Sequence, residues 1–310
     1  MMQIKIEHLR KHYGRTRAVD DISFTFSSGE IIGFVGPNGA GKSTAMRIIA
    51  TLDEPTGGDV LLDGVSVVEE PERGHRLIGY VPDSLPGHRD ISVHEYLDFF
   101  ARAYGIASPA RQKVVESIEE FTNLLGIREK HLNALSKGMK NRVSVARALV
   151  HDPAVLVMDE PAAGLDPRAR IELRELLKVL SAQGKAVLIS SHILTELAEI
   201  CTGAVIIERG KILRAGSLRQ ILTVDMPQRT VLIRALDDPE TLYKHLLLLP
   251  NVEAARLIDH SVEVDLTGAE EGCWELLSHL VRSGHRIVEF RQQHAGLEQL
   301  FMNVTQGDVQ

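Results

Sequence analysis

Apolar and polar residues alternate near the start of the chain, whereas further on the apolar residues run together. Alternation is typical of antiparallel strands with one solvated face, and it predicts strands at 2–8 and 17–27 with Tyr13-Gly14 in the turn between them. Continuous apolar runs predict strands that are buried on both faces of a parallel sheet. These runs lie at 31–35, 154–158, 185–190 and 203–208. Helical patterns at 167–182 and 193–201 fall between the last three runs, which is the rhythm of an α/β fold.

The stretch from about 84 to 150 interrupts this rhythm with helices. A hairpin at 57–64 and a strand at 76–81, ending at Pro82, precede it. In each of two following segments the apolar residues share one helix face. These faces consist of Val93, Tyr96, Leu97, Phe100 and Tyr104, and of Val114, Ile118, Phe121 and Leu125. A third helix runs through Val143, Ala146 and Leu149, so we expect a helical subdomain inserted into the first domain.

The order of elements changes after a boundary segment at 217–228. The remainder reads as strand, helix, two strands, helix and strand, a β-α-β-β-α-β order that predicts a small ferredoxin-like α+β domain. Its elements are expected at 230–235, 239–249, 252–258, 261–266, 270–283 and 285–291, with a last short helix at 297–304. We therefore predict two domains, 1–222 and 228–310.

Composition narrows the class of protein. A length of 310 residues favours two domains, and 44% apolar with 25% charged residues is ordinary for a globular protein. The formal net charge of -7 argues against a nucleic-acid partner, which needs clustered cations. Cys201 and Cys273 suggest neither a disulfide framework nor a cysteine metal site. No apolar run approaches the roughly 20 residues of a membrane span, and we expect any membrane role to come from a partner.

The residues that follow the strand at 31–35 carry the clearest chemistry of the sequence. They read Gly36-Pro37-Asn38-Gly39-Ala40-Gly41-Lys42-Ser43-Thr44, the pattern G-x-x-x-x-G-K-[ST] between a strand and a helix. Such a phosphate loop turns its backbone N–H groups toward an anion, and the following helix adds its positive dipole end. Lys42 is predicted to contact the β- and γ-phosphates and Ser43 to bind Mg²⁺. The alternative is a chance match, against which the flanking strand and helix argue.

Two carboxylates end the apolar strand at 154–158. Asp159 and Glu160 lie where open α/β sheets bind their ligands. In a phosphate-loop enzyme the first carboxylate belongs with Mg²⁺, and the second is placed to polarise a water for attack on the γ-phosphate. The competing interpretation, a pair of acids that merely precedes a helix, loses weight because the phosphate loop lies upstream.

Six motifs in order make residues 2 to about 222 resemble the ATP-binding cassette (ABC) ATPases. The six are Tyr13, the loop at 36–44, Asp83, the stretch Leu135-Ser136-Lys137-Gly138-Met139-Lys140, the pair Asp159-Glu160 with Ala163-Gly164-Leu165-Asp166, and His192. The resemblance implies a mixed-sheet α/β core with an antiparallel β subdomain and an inserted helical subdomain. It also implies ATP and Mg²⁺ as ligands, with Tyr13 stacked on adenine, Ser43, Asp83 and Asp159 at the metal, and Lys42, Glu160 and His192 in catalysis.

The chain has one phosphate loop and one signature stretch, so the resemblance implies a head-to-tail homodimer. Two ATP molecules are then expected between the copies, each facing Ser136, Gly138 and Asp166 of the partner subunit. Asp83 stands where the family usually has a glutamine and has a shorter, acceptor-only side chain. Lys137 and Met139 replace a glycine and a glutamine of the commonest signature, while Ser136 and Gly138 remain.

Several of these residues also have structural interpretations. Tyr13 alone could be a strand-edge aromatic, His192 a hydrogen-bonded histidine at a strand end, and Ser136 a simple helix cap. Their shared order favours the functional assignments.

Two functions remain open. The first is the ATPase subunit of an exporter, peripheral on the cytoplasmic face of the membrane and driving a separate permease. Its support is the aromatic-rich insertion with Tyr96, Phe99, Phe100 and Tyr104, although these rings could simply pack the subdomain core. The second is a soluble ABC ATPase acting on nucleic acid or ribosomes. Since relatives of that kind have tandem cassettes or a long coiled coil and this acidic chain has neither, we favour the exporter.

Overall fold

The computed structural model of the protein describes residues 2–85, 90–191, 197–223, 228–267 and 270–293. It forms two compact units, one from the N-terminus to Ile221 and one that begins at Leu222. The division lies inside the segment 217–228 that the sequence marks as a boundary.

Among its described residues, the first unit contains ten strands and six complete helices, and a further helix crosses the division into the second unit. In chain order they are β1 (Gln3–Tyr13), β2 (Thr16–Ser27), β3 (Ile31–Val35), α1 (Lys42–Ile49), β4 (Gly57–Leu62), β5 (Val65–Ser66), α2 (Pro71–Leu77), β6 (Ile78–Val81), α3 (Val93–Ala103), α4 (Ala110–Phe121), α5 (Lys137–Leu149), β7 (Val155–Met158), α6 (Pro167–Ala182), β8 (Ala186–Ser191), β9 (Gly203–Glu208), β10 (Lys211–Ser217) and α7 (Leu218–Thr223). Short 3₁₀ turns at Leu125–Ile127 and Leu132–Ala134 lead from α4 to α5.

Two sheets form the body of this unit. One is antiparallel with the order β2-β1-β4-β5, and the other has the order β10-β9-β3-β8-β7-β6. Strands β6, β7, β8, β3 and β9 run parallel, which confirms the parallel sheet predicted from the continuous apolar runs. The edge strand β10 pairs antiparallel with β9 and is absent from the prediction.

A single hydrophobic core joins the two sheets through α1. Phe24 and Phe26 of β2 stack beside Phe34 of β3, and Met46 and Ile49 of α1 are fully buried among them. Burial of each large apolar side chain contributes roughly 1.5–3 kcal/mol. The helix that begins at the phosphate loop is therefore anchored between the sheets.

Two local predictions in this body are wrong. Residues 76–81 do not form one strand, because α2 extends to Leu77 and only Ile78–Val81 pair with β7. Pro71 at the first helical turn and Glu72 beside it favour the helix start. Tyr13 lies at the end of β1, opposite Thr16, and the turn consists of Gly14 and Arg15.

Helices α3, α4 and α5 have a separate core, as an inserted subdomain should. Val93, Leu97, Val115 and Val143 lie at its centre. Ser92 caps α3, since its hydroxyl accepts from the Glu95 amide while the Glu95 carboxylate accepts from the Ser92 amide. The aromatic rings divide between two environments: Tyr96 is buried, whereas Phe99 is 58% and Tyr104 is 41% exposed.

The predicted apolar face of α4 is wrong at its C-terminal end, although Ile118 packs against the subdomain core and Val114 is half-buried. Phe121 and Leu125 are exposed, and the fully buried side chains are Val115 and Glu119. Glu119 faces inward, where it meets His94 and the guanidinium of Arg128. Its Oε1 lies 2.8 Å from His94 Nδ1, and its Oε2 lies 3.4 Å from Arg128 Nε. The inner face of α4 therefore includes a buried carboxylate that its apolar pattern does not show.

In the residues that the structure describes, the second unit is a four-stranded sheet with two helices. Its elements are β11 (Gln228–Ala235), α8 (Pro239–Leu246), β12 (Val252–Ile258), β13 (Ser261–Thr267), α9 (Glu270–Arg282) and β14 (Ile287–Gln293). All pairings are antiparallel, in the order β12-β13-β11-β14. Val231, Ile233, Leu242, Val262 and Leu280 lie in its core. Its assignment as ferredoxin-like and the extents of the two domains stay predictions, and the predicted helix at 297–304 lies outside the described residues.

Within the described ranges, no helix combines the length and the hydropathy needed to cross a membrane.

We predict that Glu119→Gln destabilises the first unit by about 1–3 kcal/mol. The change removes a buried negative charge and leaves the Arg128 guanidinium and His94 facing a neutral amide. Urea unfolding followed by circular dichroism measures the effect. Glu120→Gln, one residue on at an exposed position, is the control and should change stability by less than about 0.5 kcal/mol. Equal effects of the two changes would contradict a structural role for the Glu119 charge.

We also predict that acid destabilises the second unit through His245. Burial, followed by the neighbouring His285 and His279, lowers the pKa of this imidazole. The unfolded chain therefore takes up the proton first, and the stability present above a pKa of about 6.5 is lost as the pH falls below it. His245→Asn should reduce the loss in melting temperature between about pH 8 and about pH 5.5, measured by calorimetry. His260→Asn, in an exposed turn, should leave that loss unchanged.

Candidate nucleotide site

The loop after β3 forms a cradle between the two sheets. Val35 ends a fully buried strand, and the chain then turns through Gly39, with φ of 80°, and Gly41, with φ of 98°. Gly41 precedes α1, and no side chain caps the first turn of that helix. The N–H groups of that turn lack intrahelical acceptors. They are thus available to an anion, and the helix dipole favours negative charge there.

Glycine is required in this loop for packing as well as for conformation. A Cβ at Gly36 would lie 2.2 Å from the Ile207 carbonyl oxygen, and a Cβ at Gly41 would lie 2.1 Å from that of Ala18. The turn after β9 supports the loop from the same side, because the Gly210 amide donates to Ala40 and the Asp20 amide donates to Gly210. The backbone of three separate segments therefore closes around the loop.

Lys42 is buried at the base of the cradle, 6% exposed. Its Nζ donates to the carbonyl oxygens of Gly36 at 2.8 Å and Pro37 at 3.2 Å, and it lies 4.0 Å from Glu160 Oε1. Burial lowers the pKa of this ammonium, and the negative charges of Glu160 and Asp159 oppose the shift. A further anion at the loop would favour the charged form, so the position suits a phosphate.

The two carboxylates predicted at the end of β7 lie at the same edge of the sheet. Asp159 is 5% exposed, and its amide donates to the Val81 carbonyl at the end of β6. Glu160 has φ of 48°, in the left-handed region that non-glycine residues rarely adopt. The structure thus brings the lysine and the two carboxylates, Lys42, Asp159 and Glu160, close together, as the sequence predicts.

Ser190 of β8 joins the two acids, and the sequence did not predict this contact. Its buried hydroxyl donates to Asp159 Oδ1 at 2.8 Å and accepts from the Glu160 amide at 2.8 Å. The only signal in the sequence was a hydroxyl residue near the end of a strand adjacent to β7.

Tyr13 lies at the rim beside the first turn of α1. Its ring is 51% exposed and has Lys11 Nζ 5.1 Å from the centroid. The phenol donates to Asp53 Oδ2 at 2.8 Å, and this bond raises the pKa of Tyr13, while the Thr44 hydroxyl acts in the opposite direction. The exposed ring next to Thr44 fits a stacking role at the loop.

The signature residues lie at a different helix end. Ser136 caps α5 by accepting from the Met139 amide at 3.3 Å, and a Cβ at Gly138 would have no neighbour nearer than 3.7 Å. Among the described residues, no contact joins Ser136 or Gly138 to the phosphate loop of the same chain. The exposed end of α5 is a second anion-binding geometry.

The remaining predicted residues lie on several elements. Asp166 is exposed and caps α6, its Oδ1 accepting from the Ala169 amide at 2.9 Å. Asn141 of α5 donates to the Pro161 carbonyl, which connects the signature helix to the segment after Glu160. Asp83 is exposed two residues beyond β6, and Ser43 is exposed in the first turn of α1. His192 directly follows β8 and lies outside the described residues.

Comparison with known proteins agrees with this geometry. A family model for ABC transporters matches residues 19–163. The Nod factor export ATP-binding protein I of Burkholderia lata is 31% identical over 310 residues, covering 99% of this chain and 98% of that protein. The linearmycin resistance ATP-binding protein LnrL of Bacillus subtilis is 28% identical over 304 residues, covering 97% and 98%. The chain belongs to the ABC transporter family.

A solved relative shows the same fold in a dimer. The ATP-binding cassette MJ0796, in a dimeric post-hydrolysis state bound to ADP and Pi, aligns with a TM-score of 0.63 and 25% identity over 70% of this chain and 99% of its own. As a member of the ABC family, this chain is an ATP-binding ATPase subunit. The mixed α/β core with its antiparallel subdomain is confirmed by the same likeness.

The cradle of this ABC ATPase fits a triphosphate. Three features shape the loop for an anion. Lys42 is buried, the first turn of α1 has no side-chain cap, and backbone atoms fill the space where side chains at Gly36 and Gly41 would lie. Asp159 and Ser43 carry carboxylate and hydroxyl oxygens, the type of ligand that Mg²⁺ prefers. Among the described residues no group of three or more His, Cys, Asp or Glu side chains has the geometry of a metal site.

We predict that Gly41→Ala lowers ATP affinity at least ten-fold. The added Cβ meets the Ala18 carbonyl, and a φ of 98° is strained for alanine, so the loop must shift away from its anion-binding shape. Isothermal titration calorimetry with ATP and Mg²⁺ measures the change. Gly126→Ala, where a Cβ meets no atom within 4 Å, is the control. A Gly41→Ala protein that binds ATP within two-fold of the control would contradict the steric argument.

Proposed function

We propose that this chain is the ATP-hydrolysing subunit of an exporter, that two copies close head to tail around two ATP molecules, and that closure drives a separate membrane permease. One observation carries the proposal. The phosphate loop, Lys42 and both acids meet at one edge, whereas the signature end of α5 is exposed and makes no described contact with that loop. Each chain supplies two half-sites that do not face each other.

The phosphate loop holds the triphosphate in this proposal. Lys42 exchanges its bonds to the Gly36 and Pro37 carbonyls for the β- and γ-phosphate oxygens, and the amides of residues 39–44 surround the chain of phosphates. Tyr13 stacks on the adenine. Its exposed face and its hydroxyl bond to Asp53 keep the ring in place for that contact.

Ser43, Asp159 and Asp83 are the residues that would hold Mg²⁺. When bound there, the metal would neutralise negative charge on the phosphates. Asp159 is buried and fixed by Ser190, so it is the most ordered of the three. Asp83 is exposed, and its short side chain suits a contact through water.

Glu160 orients the attacking water. The water oxygen forms a bond to the γ-phosphorus, the bond from that phosphorus to the bridging oxygen breaks, and ADP leaves with the electron pair. Glu160 accepts the proton that the water releases. Lys42, His192 and the partner's Ser136 stabilise the charge on the transferred phosphoryl group.

The export assignment follows the relatives. A Nod factor export protein and a linearmycin resistance protein both align over nearly the whole chain. Phe99 and Tyr104 remain exposed on the inserted helices, where a helix of a membrane subunit can pack against them. The protein would then be peripheral on the cytoplasmic face of the membrane. The net charge of -7 disfavours the alternative, an ABC ATPase acting on nucleic acid.

We predict that Glu160→Gln lowers the hydrolysis rate by roughly 10²–10⁴ while ATP affinity stays within about three-fold. The amide keeps the shape of the side chain but cannot accept the water proton. Because bound ATP then persists, the variant should sediment as a dimer with ATP and Mg²⁺ and as a monomer without them. Steady-state ATPase assays and analytical ultracentrifugation give the two results.

Glu116→Gln, at an exposed position of α4, is the matched control and should hydrolyse ATP at the wild-type rate. A Glu160→Gln protein that kept most of its activity would exclude Glu160 from the mechanism, and sedimentation as a monomer at all concentrations would exclude the closed dimer. Tight binding of RNA or DNA, in place of co-purification with a multi-span membrane protein, would favour the second function.

A further inference from the structure

The Ser190 side chain connects the two proposed catalytic acids. It is fully buried. Its hydroxyl donates its one proton to Asp159 Oδ1 and accepts from the Glu160 amide, each at 2.8 Å. Because a carboxylate only accepts and an amide N–H only donates, the directions of both bonds are fixed. One hydroxyl therefore holds both the side chain of Asp159 and the backbone of Glu160.

The register of the sheet explains why this contact forms. Met158 and Ile189 are the last residues that pair between β7 and β8. Ser190 is the next residue of β8, so it lies beside the point where the chain leaves β7. Asp159 is held on the opposite side by its amide bond to Val81. The Asp159 carboxylate is thus located between two strands, and the bond to Ser190 is charge-assisted.

The backbone at Glu160 depends on an anchor. A φ of 48° at a non-glycine residue is unfavourable unless the surroundings hold it. Two bonds hold the turn: the Glu160 amide donates to Ser190, and the Ala163 amide donates to the Glu160 carbonyl at 3.0 Å. Without the serine hydroxyl, the first of these bonds is lost and the direction of the Glu160 side chain is less fixed relative to Lys42.

We infer that Ser190 is a positioning residue that orients both acids, Asp159 toward the metal and Glu160 toward the attacking water. The inference rests on the proposed function, since it assigns a role to Ser190 through the roles of those acids. Misplacement of a catalytic group by about 1 Å can cost about 100-fold in rate, and loss of a group that orients a metal ligand typically costs 10- to 100-fold. Effects of that size are expected on kcat and on metal dependence.

Ser190→Ala removes only the hydroxyl and should fold. We expect kcat for ATP hydrolysis to fall 10- to 100-fold with KM for ATP changed less than three-fold. The concentration of Mg²⁺ for half-maximal rate should rise at least three-fold. Ser190→Thr keeps a hydroxyl and should recover kcat to within about five-fold of wild type.

Two readouts are independent of turnover. The gain in ADP affinity on adding Mg²⁺, measured by calorimetry, should shrink at least three-fold in Ser190→Ala. The Glu160 amide should exchange its hydrogen at least ten-fold faster, measured by nuclear magnetic resonance. A serine that served only the stability of the sheet would move neither value.

Ser144→Ala is the matched control. Ser144 is 2% exposed on α5, and its hydroxyl has no hydrogen-bond partner among the described residues. If Ser190→Ala and Ser144→Ala lower kcat equally, or if the Glu160 amide exchanges equally in both, the inference is overturned. If Glu160→Gln abolishes hydrolysis while Ser190→Ala does not lower it, the inference fails and the proposed function stands. If Glu160→Gln remains active, the proposed function fails first.

Discussion

The hydrogen-bond register of the parallel sheet is the constraint on which the site depends. Val81 pairs with Met158, Met158 with Ile189, and Val35 with Ser191, so four strands end at nearly the same height. Because parallel strands present all their carboxyl ends at one edge, the loops that leave them must meet there. Lys42 and Glu160 come within 4.0 Å for this reason, although they are far apart in the sequence.

Electrostatics at this edge gives the site its affinity for anions. The cradle buries a lysine and lowers the pKa of its ammonium, so the lysine is held there at a cost in solvation. Two acids offset part of that cost, and a triphosphate would offset more. The uncapped start of α1 adds a second positive region without adding a side chain. The protein thus concentrates donors and positive charge where one polyanionic ligand can satisfy them.

The sequence predicts the parallel sheet, the helical insertion and the phosphate loop because periodicity and local motifs encode them. The inward position of Glu119 on α4 could not be predicted in this way, because its partner His94 lies on another helix, 25 residues earlier in the chain, and Arg128 lies beyond the end of α4. Ser190 was missed for a similar reason, since its partners belong to a neighbouring strand. Helix α2 did carry start signals, Pro71 and Glu72, but the strand-like pattern at 76–81 hid its C-terminal end. A local sequence pattern does not show side-chain contacts between separate elements of the fold.

The turn at Arg209-Gly210 has a consequence for engineering. Gly210 donates to Ala40 and accepts from Asp20, and the Ala18 carbonyl fills the space beside Gly41. The nucleotide loop is thus supported by the β1–β2 and β9–β10 hairpins, which are distant from it in the sequence. New chain termini, affinity tags or fluorescent reporters placed in that surface turn would loosen the grip on nucleotide. Attachment points belong elsewhere, for example at Gly64 or Gly184, where added bulk meets open space.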